Sequence, residues 1–432
     1  MSRRKPALVL MALLFVVASQ AQSPDSTFTA APLSPAFVEH MKARKQGLVQ
    51  RFTAEGHPLG RIPTTLDLSH LQTQQVATQQ SPQAPPSSYD LRTLGKVTAV
   101  RDQGICGDCW AFATYGSMES NLLPGETRDF SENNLKDLNG FDPSPCAGGN
   151  WQVSAAYLAR WSGPVNESDD PYHPTDANTS PPGLPPQKHV QDLIMIAAHT
   201  SPGDSTHIAN IKTALMTYGA VDASIYWADS TYNAANSAYY YSGTVTAATL
   251  NHDITVVGWD DNYSASNFSH PPANNGAFLI KNSWGTSFGL SGYFWISYYD
   301  TGFGVDVSSV FAGNQPVSNY TTRYDYDPLG WVNNLGYPHS TTAWFANVFT
   351  ATASEQLQAV ATYVASNNSS YVIYIYTDVT VGPTTGTLRG TSSGTFSLAG
   401  YHTVALNTPV SLTSGRKFSV VMQLTTPRAK LH

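Results

Sequence analysis

The most informative stretch of the sequence is Gln103-Gly104-Ile105-Cys106-Gly107-Asp108-Cys109-Trp110, which leads directly into Ala111-Phe112-Ala113-Thr114. Its second cysteine follows a glycine-containing turn and opens a segment whose apolar residues recur at helical spacing. A thiol at the N-terminus of a helix feels the positive end of the helix dipole, which favours the thiolate and lowers the thiol pKa. Cys109 is therefore a candidate nucleophile.

A nucleophilic thiolate needs a partner that donates a proton to the leaving group. His252 is the best candidate because it precedes an apolar, β-rich run over 254–259. A second predicted strand, 278–281, ends at Asn282. The carbonyl oxygen of an Asn side chain accepts from one imidazole nitrogen and so fixes the tautomer and the direction of the other. The sequence thus predicts a Cys-His-Asn triad.

The blocks around Cys109, His252 and Asn282 occur in an order that resembles the papain family of cysteine peptidases, over roughly 89–313. The separation of Cys109 and His252 falls within the broad range of that family. The separation of His252 and Asn282 is larger than usual, and we interpret 260–277 as a polar loop inserted between two core strands. An inert or structural role is the better interpretation of any one residue alone, but three blocks in order favour the triad.

The resemblance implies a role for each of these residues. Cys109 would be the nucleophile, His252 the general acid and base, and Asn282 the residue that orients His252. Trp284 would shield the hydrogen bond between His252 and Asn282 from water and border the bound substrate. Gln103 would donate from its side chain to the oxyanion, together with the backbone N–H of Cys109. No metal and no organic cofactor is implied.

The cysteine count bears on the same site, because three cysteines in one chain leave one unpaired. Redox or zinc chemistry is the other use of two cysteines at this spacing. The sequence shows neither a second such pair nor a thioredoxin-like βαβ unit. The family pairing would join Cys106 to Cys146 and leave Cys109 reactive. A disulfide between Cys106 and Cys109, which would abolish catalysis, is the competing pairing.

A second segment, Cys146-Ala147-Gly148-Gly149-Asn150, resembles the part of the family that faces the nucleophile. Gly148 and Gly149 would let a substrate backbone approach and pair as an extended strand, because a Cβ would obstruct it; an ordinary turn is the alternative. Trp151 is expected to form an apolar wall of the main specificity pocket. Asp253 replaces the small residue usual in the family. If it faces that pocket, it favours a basic side chain at the second substrate residue before the cleaved bond.

Composition and the N-terminus restrict the function further. The chain has 432 residues, a net charge of −7 and no basic stripe, so we expect no nucleic-acid partner. Basic residues 3–5 precede an apolar run over 7–18 and small residues ahead of a cleavage site after Ala21, which is typical of a signal peptide. The run is too short to span a bilayer. We expect a secreted or periplasmic protein without stable membrane insertion; an uncleaved anchor is the alternative.

We divide the chain into a signal peptide (1–21), a propeptide or linker (22–86), a papain-like peptidase domain (87–313) and a β-sandwich (314–432). Residues 37–52 favour a short amphipathic helix, and the segment 22–86 lies where the family has an inhibitory propeptide. The usual propeptide signature of the family is absent, so a disordered spacer is the alternative. The first strand of the peptidase domain is expected at 97–100.

The C-terminal segment 314–432 contains short β-patterned runs separated by turn residues. These runs are 344–350, 357–364, 371–376, 401–406 and 417–424. The pattern predicts an all-β sandwich that resembles lectin-like modules of bacterial papain-like peptidases. Carbohydrate binding and a structural or substrate-docking role are alternatives. The chain ends shortly after the last run, which leaves open that the sandwich is incomplete.

Together these patterns predict an α+β protein with a papain-like two-lobe fold and a following all-β sandwich. A helical left lobe would carry Cys109, and a β-barrel-like right lobe would carry His252 and Asn282. The predicted activity is that of a secreted cysteine endopeptidase, made as a zymogen, that acts as a monomer on proteins or peptides. The alternatives are an inactive adhesin-like or carbohydrate-binding protein and an amidase or transglutaminase using the same triad.

Overall fold

A computed structural model describes residues 29–73, 84–337 and 339–427. The predicted signal peptide lies outside the described residues. Within them are five α-helices: α1 (Pro35–Lys45), α2 (Cys109–Leu122), α3 (Glu132–Leu138), α4 (Trp151–Ala159) and α5 (Ser205–Tyr218). Across this part of the chain, no helix has the length and apolar character needed to cross a membrane.

The β-strands of the described residues fall into three sheets. The strands are β1 (Thr29–Ala30), β2 (Ser88–Asp90), β3 (Lys188–Ile196), β4 (Val221–Ile225), β5 (Tyr232–Asn233), β6 (Ala238–Tyr239), β7 (His252–Asp260), β8 (Ala277–Lys281), β9 (Tyr293–Ser297), β10 (Ser308–Pro316), β11 (Leu335–Gly336), β12 (Thr342–Thr350), β13 (Glu355–Val364), β14 (Ser369–Thr377), β15 (Thr387–Phe396), β16 (Gly400–Leu412) and β17 (Lys417–Thr425). The large sheet has the order β13-β16-β3-β10-β4-β7-β8-β9-β6-β5, with β2 also paired to β7. A four-stranded sheet has the order β12-β17-β14-β15, and β1 pairs with β11.

Helix α2 is the central helix of the left lobe. Its residues from Cys109 to Ser120 are all buried, as expected of a helix that is apolar on most of its surface. It packs against β7 and β10. The N-terminus of α2 is therefore held against the strand that begins at His252.

Strands β7 and β8 form the centre of the right lobe. They are antiparallel, with Thr255 opposite Lys281 and Val256 opposite Ile280. This register brings the start of β7 next to the end of β8, where Asn282 follows. The polar loop predicted at 260–277 connects the two strands, as expected from the sequence.

The sandwich is continuous with the peptidase sheet. Strand β16 pairs with β13 on one side and with β3 on the other, where Gly400 lies opposite Ile194. Strand β10 extends across the predicted domain boundary at 313/314. Apolar side chains from both layers of the sandwich, including Ile373, Leu406 and Met422, form its core.

Three sequence-based expectations differ from the structure. Residues 97–100 form no strand; Thr98 instead donates from its hydroxyl to Glu119 of α2 at 2.6 Å. The N-terminal helix ends at Lys45 rather than near residue 52, because Gly47 adopts a φ of +70° that ends helices. Strand β15 was not predicted, since its Thr-Ser-Gly-rich sequence lacks an apolar alternation and it lies at a sheet edge.

Candidate active site

The thiol of Cys109 lies at the first residue of α2 and is completely buried. Its Sγ accepts a hydrogen bond of 3.3 Å from the backbone N–H of Asp253. The residue next to His252 thus contacts the sulfur directly. A disulfide joins Cys106 to Cys146 and leaves Cys109 free, so the two cysteines at CxxC spacing do not pair with each other.

The imidazole of His252 is fixed by Asn282 and Trp284. His252 Nε2 donates to Asn282 Oδ1 at 2.8 Å, and the backbone N–H of Ser283 donates to the same oxygen at 2.8 Å. The Trp284 ring stacks on the imidazole, with 4.5 Å between centroids. Among the described residues, His252 Nδ1 has no hydrogen-bond partner. The Nδ1 lone pair of the neutral imidazole is therefore free to accept a proton.

Burial keeps both groups uncharged in this structure. It lowers the pKa of His252 to about 4, although the hydrogen bond to Asn282 opposes this shift. It raises the pKa of Cys109 well above its usual value, and the carboxylates of Asp253 and Asp108 add to that shift. The Cys109 thiol and the His252 imidazole are therefore both neutral at pH 7 while the site is covered.

Gln103 precedes Cys109 by six residues, and hydrogen bonds hold both ends of its side-chain amide. Its Nε2 donates to the carbonyl oxygen of Cys106 at 2.8 Å, and its Oε1 accepts from Ser283 Oγ at 2.6 Å. The second proton on Nε2 remains available to a substrate oxygen. The backbone N–H of Cys109 is one of the unpaired donors at the start of α2. Both donors have the chemistry of the predicted oxyanion hole.

Gly148 and Gly149 face an extended part of the N-terminal segment, which we call the blocking segment (57–62). Gly149 N–H donates to the carbonyl oxygen of Gly60 at 2.9 Å, and Ile62 N–H donates to the carbonyl oxygen of Gly149 at 2.8 Å. A Cβ added at Gly148 would lie 2.6 Å from the Gly60 oxygen, too close for any side chain. The edge predicted to bind substrate is thus occupied by the chain itself.

Further contacts hold the blocking segment in the cleft. The backbone N–H groups of Gly60 and Arg61 donate to the carbonyl oxygen of Asn251 at 3.1 and 3.2 Å. Asn150 Nδ2 donates to the carbonyl oxygen of Ile62 at 2.9 Å. A Cβ at Gly60 would lie 1.9 Å from the carbonyl oxygen of Gly107, so only glycine fits there.

His57, at the other end of the blocking segment, stacks on Trp284, with 4.4 Å between ring centroids. Trp284 therefore contacts His252 and the blocking segment at once. The roles of His57, Asn150 and Asn251 were not predicted from the sequence. Asn150 follows Gly149 and Asn251 precedes His252, so their positions next to predicted site residues could have identified them.

Asp253 and Trp151 were the predicted parts of the specificity pocket. Asp253 is buried; its Oδ1 accepts from Ser224 Oγ at 2.5 Å and lies 3.9 Å from Arg61 Nε. Burial raises the pKa of Asp253 to about 7, and the charge of Arg61 opposes this shift. The Trp151 ring packs in the left-lobe core, 6.4 Å from the ring of Trp331. Its role as a pocket wall stays a prediction.

Asp108, the residue before the nucleophile, is also buried. Its carboxylate accepts hydrogen bonds from the Tyr172 hydroxyl at 2.8 and 3.0 Å. Burial raises the pKa of Asp108 to about 7, and the Tyr172 hydrogen bond opposes the shift. In the described part of the chain, no three His, Cys, Asp or Glu side chains are grouped so that they would hold a metal ion.

Comparisons with known sequences identify two regions of the chain. Residues 85–311 match the family described as papain family cysteine protease, and residues 323–432 match the lectin-like domain family. Cysteine proteinase 2 of Dictyostelium discoideum is 29% identical over 246 residues, which are 50% of this chain and 63% of that protein. Digestive cysteine proteinase 2 of Homarus americanus is 30% identical over 49% of this chain and 61% of that protein. The chain thus spans less than two thirds of the length of these relatives.

Comparison with solved structures extends the likeness to both regions. The cysteine protease and lectin-like domains of Cwp84, a surface layer associated protein of Clostridium difficile, match with a TM-score of 0.73 and 25% identity. That match covers 92% of this chain and 84% of the other. A Cwp84 structure determined after propeptide cleavage matches with a TM-score of 0.67 and 29% identity, over 79% of this chain and 84% of the other.

Proposed function

Since the chain belongs to the papain family of cysteine proteases, we propose that it is an endopeptidase that cleaves peptide bonds in proteins or peptides. The predicted α+β fold with a C-terminal lectin-like module is confirmed. The observation that carries the proposal is the bond from His252 Nε2 to Asn282 Oδ1, with Nδ1 unpartnered among the described residues. This bond fixes the imidazole and leaves Nδ1 free to accept a proton, and Asp253, the next residue of the same strand, contacts the Cys109 sulfur.

The proposed reaction begins once the blocking segment leaves the cleft. The Cys109 thiol transfers its proton to His252 Nδ1, and the thiolate attacks the carbonyl carbon of the substrate. The resulting oxyanion accepts hydrogen bonds from Gln103 Nε2 and the Cys109 N–H. Imidazolium His252 then protonates the leaving amine as the C–N bond breaks. Water attacks the thioester, gives a proton to His252, and releases the carboxylate product and the thiol.

The proposal includes synthesis as a zymogen, with 22–86 as the propeptide. The blocking segment supports this, because it pairs with Gly149 along the edge predicted to bind substrate. The Cys109 thiol is completely buried beneath the covered cleft. A substrate can therefore reach the thiol only after the segment has left.

We place the mature peptidase domain at 87–313, the sandwich at 314–432 and an exported location after removal of residues 1–21. Cwp84 is described as a surface layer associated protein, which supports export for this chain. We also propose that the chain acts as a monomer. Gel filtration with light scattering of the processed protein would test that part, and a stable dimer would contradict it.

Intact-mass labelling with an epoxide that traps active thiolates tests the catalytic proposal. The full chain and the chain without the residues before Ser87 are compared. We expect one adduct on Cys109 in the processed chain, slower labelling in the full chain, and no adduct in His252→Ala. Equal labelling of the two forms would contradict the zymogen, and no adduct in either form would contradict the catalytic site.

Carbohydrate binding by the lectin-like region is a second proposal, supported by a concavity of about 330 Å³ at the end of the sandwich. Polar and charged side chains line it, including Asp378, Arg389, Ser411 and Arg416. Such groups hydrogen-bond to saccharide hydroxyls. Calorimetric titration of the full chain with soluble glycans tests this proposal, with Arg389→Ala as the variant expected to weaken binding. Saturable binding that Arg389→Ala leaves unaltered would place the sugar elsewhere.

A further inference from the structure

We propose that the pocket that holds Arg61 is the main specificity pocket of the mature enzyme, and that it selects arginine at the second substrate residue before the cleaved bond. This inference rests on the proposed peptidase function and names its substrate class. Arg61 belongs to the blocking segment, so the pocket is observed with a guanidinium already bound. We call it the arginine pocket.

The arginine pocket provides a separate acceptor for each guanidinium nitrogen. Arg61 Nε donates to Ser224 Oγ at 3.0 Å, and Nη1 donates to the carbonyl oxygen of Ala247 at 2.8 Å. Nη2 forms an ion pair with Asp306. A guanidinium presents its donors in a fixed planar fork, whereas an ammonium is a single point charge. The three acceptors therefore favour arginine over lysine.

Charge and burial give the pocket a requirement for a cation. The Arg61 side chain is 1% exposed, and the Asp253 carboxylate, 3.9 Å from its Nε, is 3% exposed. The carboxyl group of Asp222 is also buried nearby; burial raises its pKa well above the usual value and the charge of Arg61 opposes that rise, so this group adds little negative charge. When Arg61 leaves, Asp253 and Asp306 lose their cation in a largely buried site, which is costly unless another cation replaces it.

The position of the pocket connects it to the reaction. Gly60 lies against the Cys109 sulfur, and Arg61, the next residue, forms a bridge with Gly149. A substrate strand that pairs with Gly149 would place the side chain of its paired residue in the same pocket. The blocking segment pairs with Gly149 in parallel. In a substrate strand that runs in the opposite direction, the paired residue comes one position before the residue at the thiol and is thus the second residue before the cleaved bond. The side chain at this position is thus the one that the carboxylates recognise.

A purely structural ion pair, present only to retain the blocking segment, is the competing explanation. Fluorogenic peptides that differ only at the second residue before the cleaved bond separate the two. At that position the four peptides carry arginine, its uncharged isostere citrulline, lysine or leucine. The mature enzyme is used, and its concentration is set by epoxide labelling of Cys109. We expect kcat/KM for arginine to exceed that for citrulline by about 10- to 100-fold, since hydrogen bonds to charged groups are lost, with lysine between them.

Variants locate the source of the preference. In Asp306→Asn and Asp253→Asn, the ratio of kcat/KM for arginine to that for citrulline should fall by at least about tenfold. Asp378→Asn, which removes the same charge at the sandwich, should retain the ratio. The arginine–citrulline comparison needs no variant, so it decides the matter even if a substitution prevents folding.

The outcomes distinguish failure of the arginine pocket from failure of the peptidase function on which it rests. An enzyme that takes the label and cleaves peptides, but prefers leucine or treats arginine and citrulline alike, would overturn the arginine pocket alone. Absence of both labelling and cleavage would overturn the proposed peptidase function, and this inference with it. A preference that persists in Asp306→Asn and Asp253→Asn would assign it to other residues.

Discussion

Two arginine–aspartate pairs in this chain have the same chemistry and opposite surroundings. Arg61 pairs with Asp306 in the cleft, where the two side chains are 1% and 20% exposed. Arg416 pairs with Asp378 at the sandwich surface, where they are 64% and 41% exposed. Water competes with the second pair but hardly with the first. The comparison predicts that the buried pair helps to hold the blocking segment over the thiol, whereas the surface pair has little influence on the fold.

Removal of Arg61 should give the largest effect. In the full chain, Arg61→Ala leaves the buried carboxylates without a cation, which costs about 3–5 kcal/mol. The blocking segment should then leave the cleft more often, and epoxide labelling of Cys109 should be at least about 100-fold faster. Arg416→Ala is the matched control and should label at the wild-type rate. Equal rates for the two variants would mean that burial of the first pair contributes nothing to inhibition.

The pH dependence of inhibition should be the next effect in size. A synthetic peptide that copies residues 57–66 is expected to inhibit the mature enzyme. Burial raises the pKa of Asp253 to about 7, and the charge of arginine lowers it, so arginine binding releases a proton. The value of about 7 applies with arginine in place, so the pKa of Asp253 in the empty pocket is higher. Binding should therefore change little below about pH 7 and strengthen by up to about tenfold per pH unit above it, until the pH passes the pKa of the empty pocket. Burial raises the pKa of Asp222, which lies near the pocket, and the charge of Arg61 opposes that rise, so this group contributes to the profile.

The control for this titration is the same peptide with citrulline in place of Arg61. It keeps the backbone contacts with Gly149 and Asn251 but has no charge that responds to Asp253. Its inhibition constant should therefore change little between pH 6.5 and 8.5, where that of the arginine peptide changes. A parallel pH dependence for both peptides would assign the effect to another group of the site, such as His252.

The smallest effect is expected at the sandwich surface. Arg416→Ala removes a pair that is open to solvent, so the midpoint of thermal unfolding should not change measurably. Differential scanning calorimetry of the full chain checks this, with Arg61→Ala measured alongside. A large loss of stability in Arg416→Ala would show that the surface pair is coupled to the core beneath it, and the contrast between the two pairs would fail.

The hydrogen bond between His252 and Asn282 beside the helix that begins at Cys109 could be expected from the sequence, because each residue lies in a distinctive local pattern. Cys109 opens an apolar helix, His252 opens a β-rich run, and Asn282 ends a strand. Each pattern combines a reactive residue type with an element boundary. The long polar loop between β7 and β8 did not prevent the prediction of these two strands, because each strand has its own distinct apolar run.

The contents of the cleft could not be predicted in the same way. The blocking segment is held largely by backbone groups, including the carbonyl oxygens of Gly149 and Asn251, and any residue type supplies those. The pairing of Arg61 with Asp306 joins residues distant in sequence, and neither has a distinctive local context. Only Asp253, next to His252, suggested a basic side chain in the pocket. Strand β15 was missed for another reason, since an edge strand rich in Thr, Ser and Gly lacks the apolar signal.

The pairing of β16 with β3 has a consequence for how the molecule handles a long polymer. Gly400 to His402 hydrogen-bond along β3, so the two modules share one sheet and are not joined by a flexible tether. A polymer anchored on the sandwich would be presented to Cys109 at a constant distance and angle. The fold would then fix the distance between the point of attachment and the point of cleavage, and successive cleavages would be separated by that same distance.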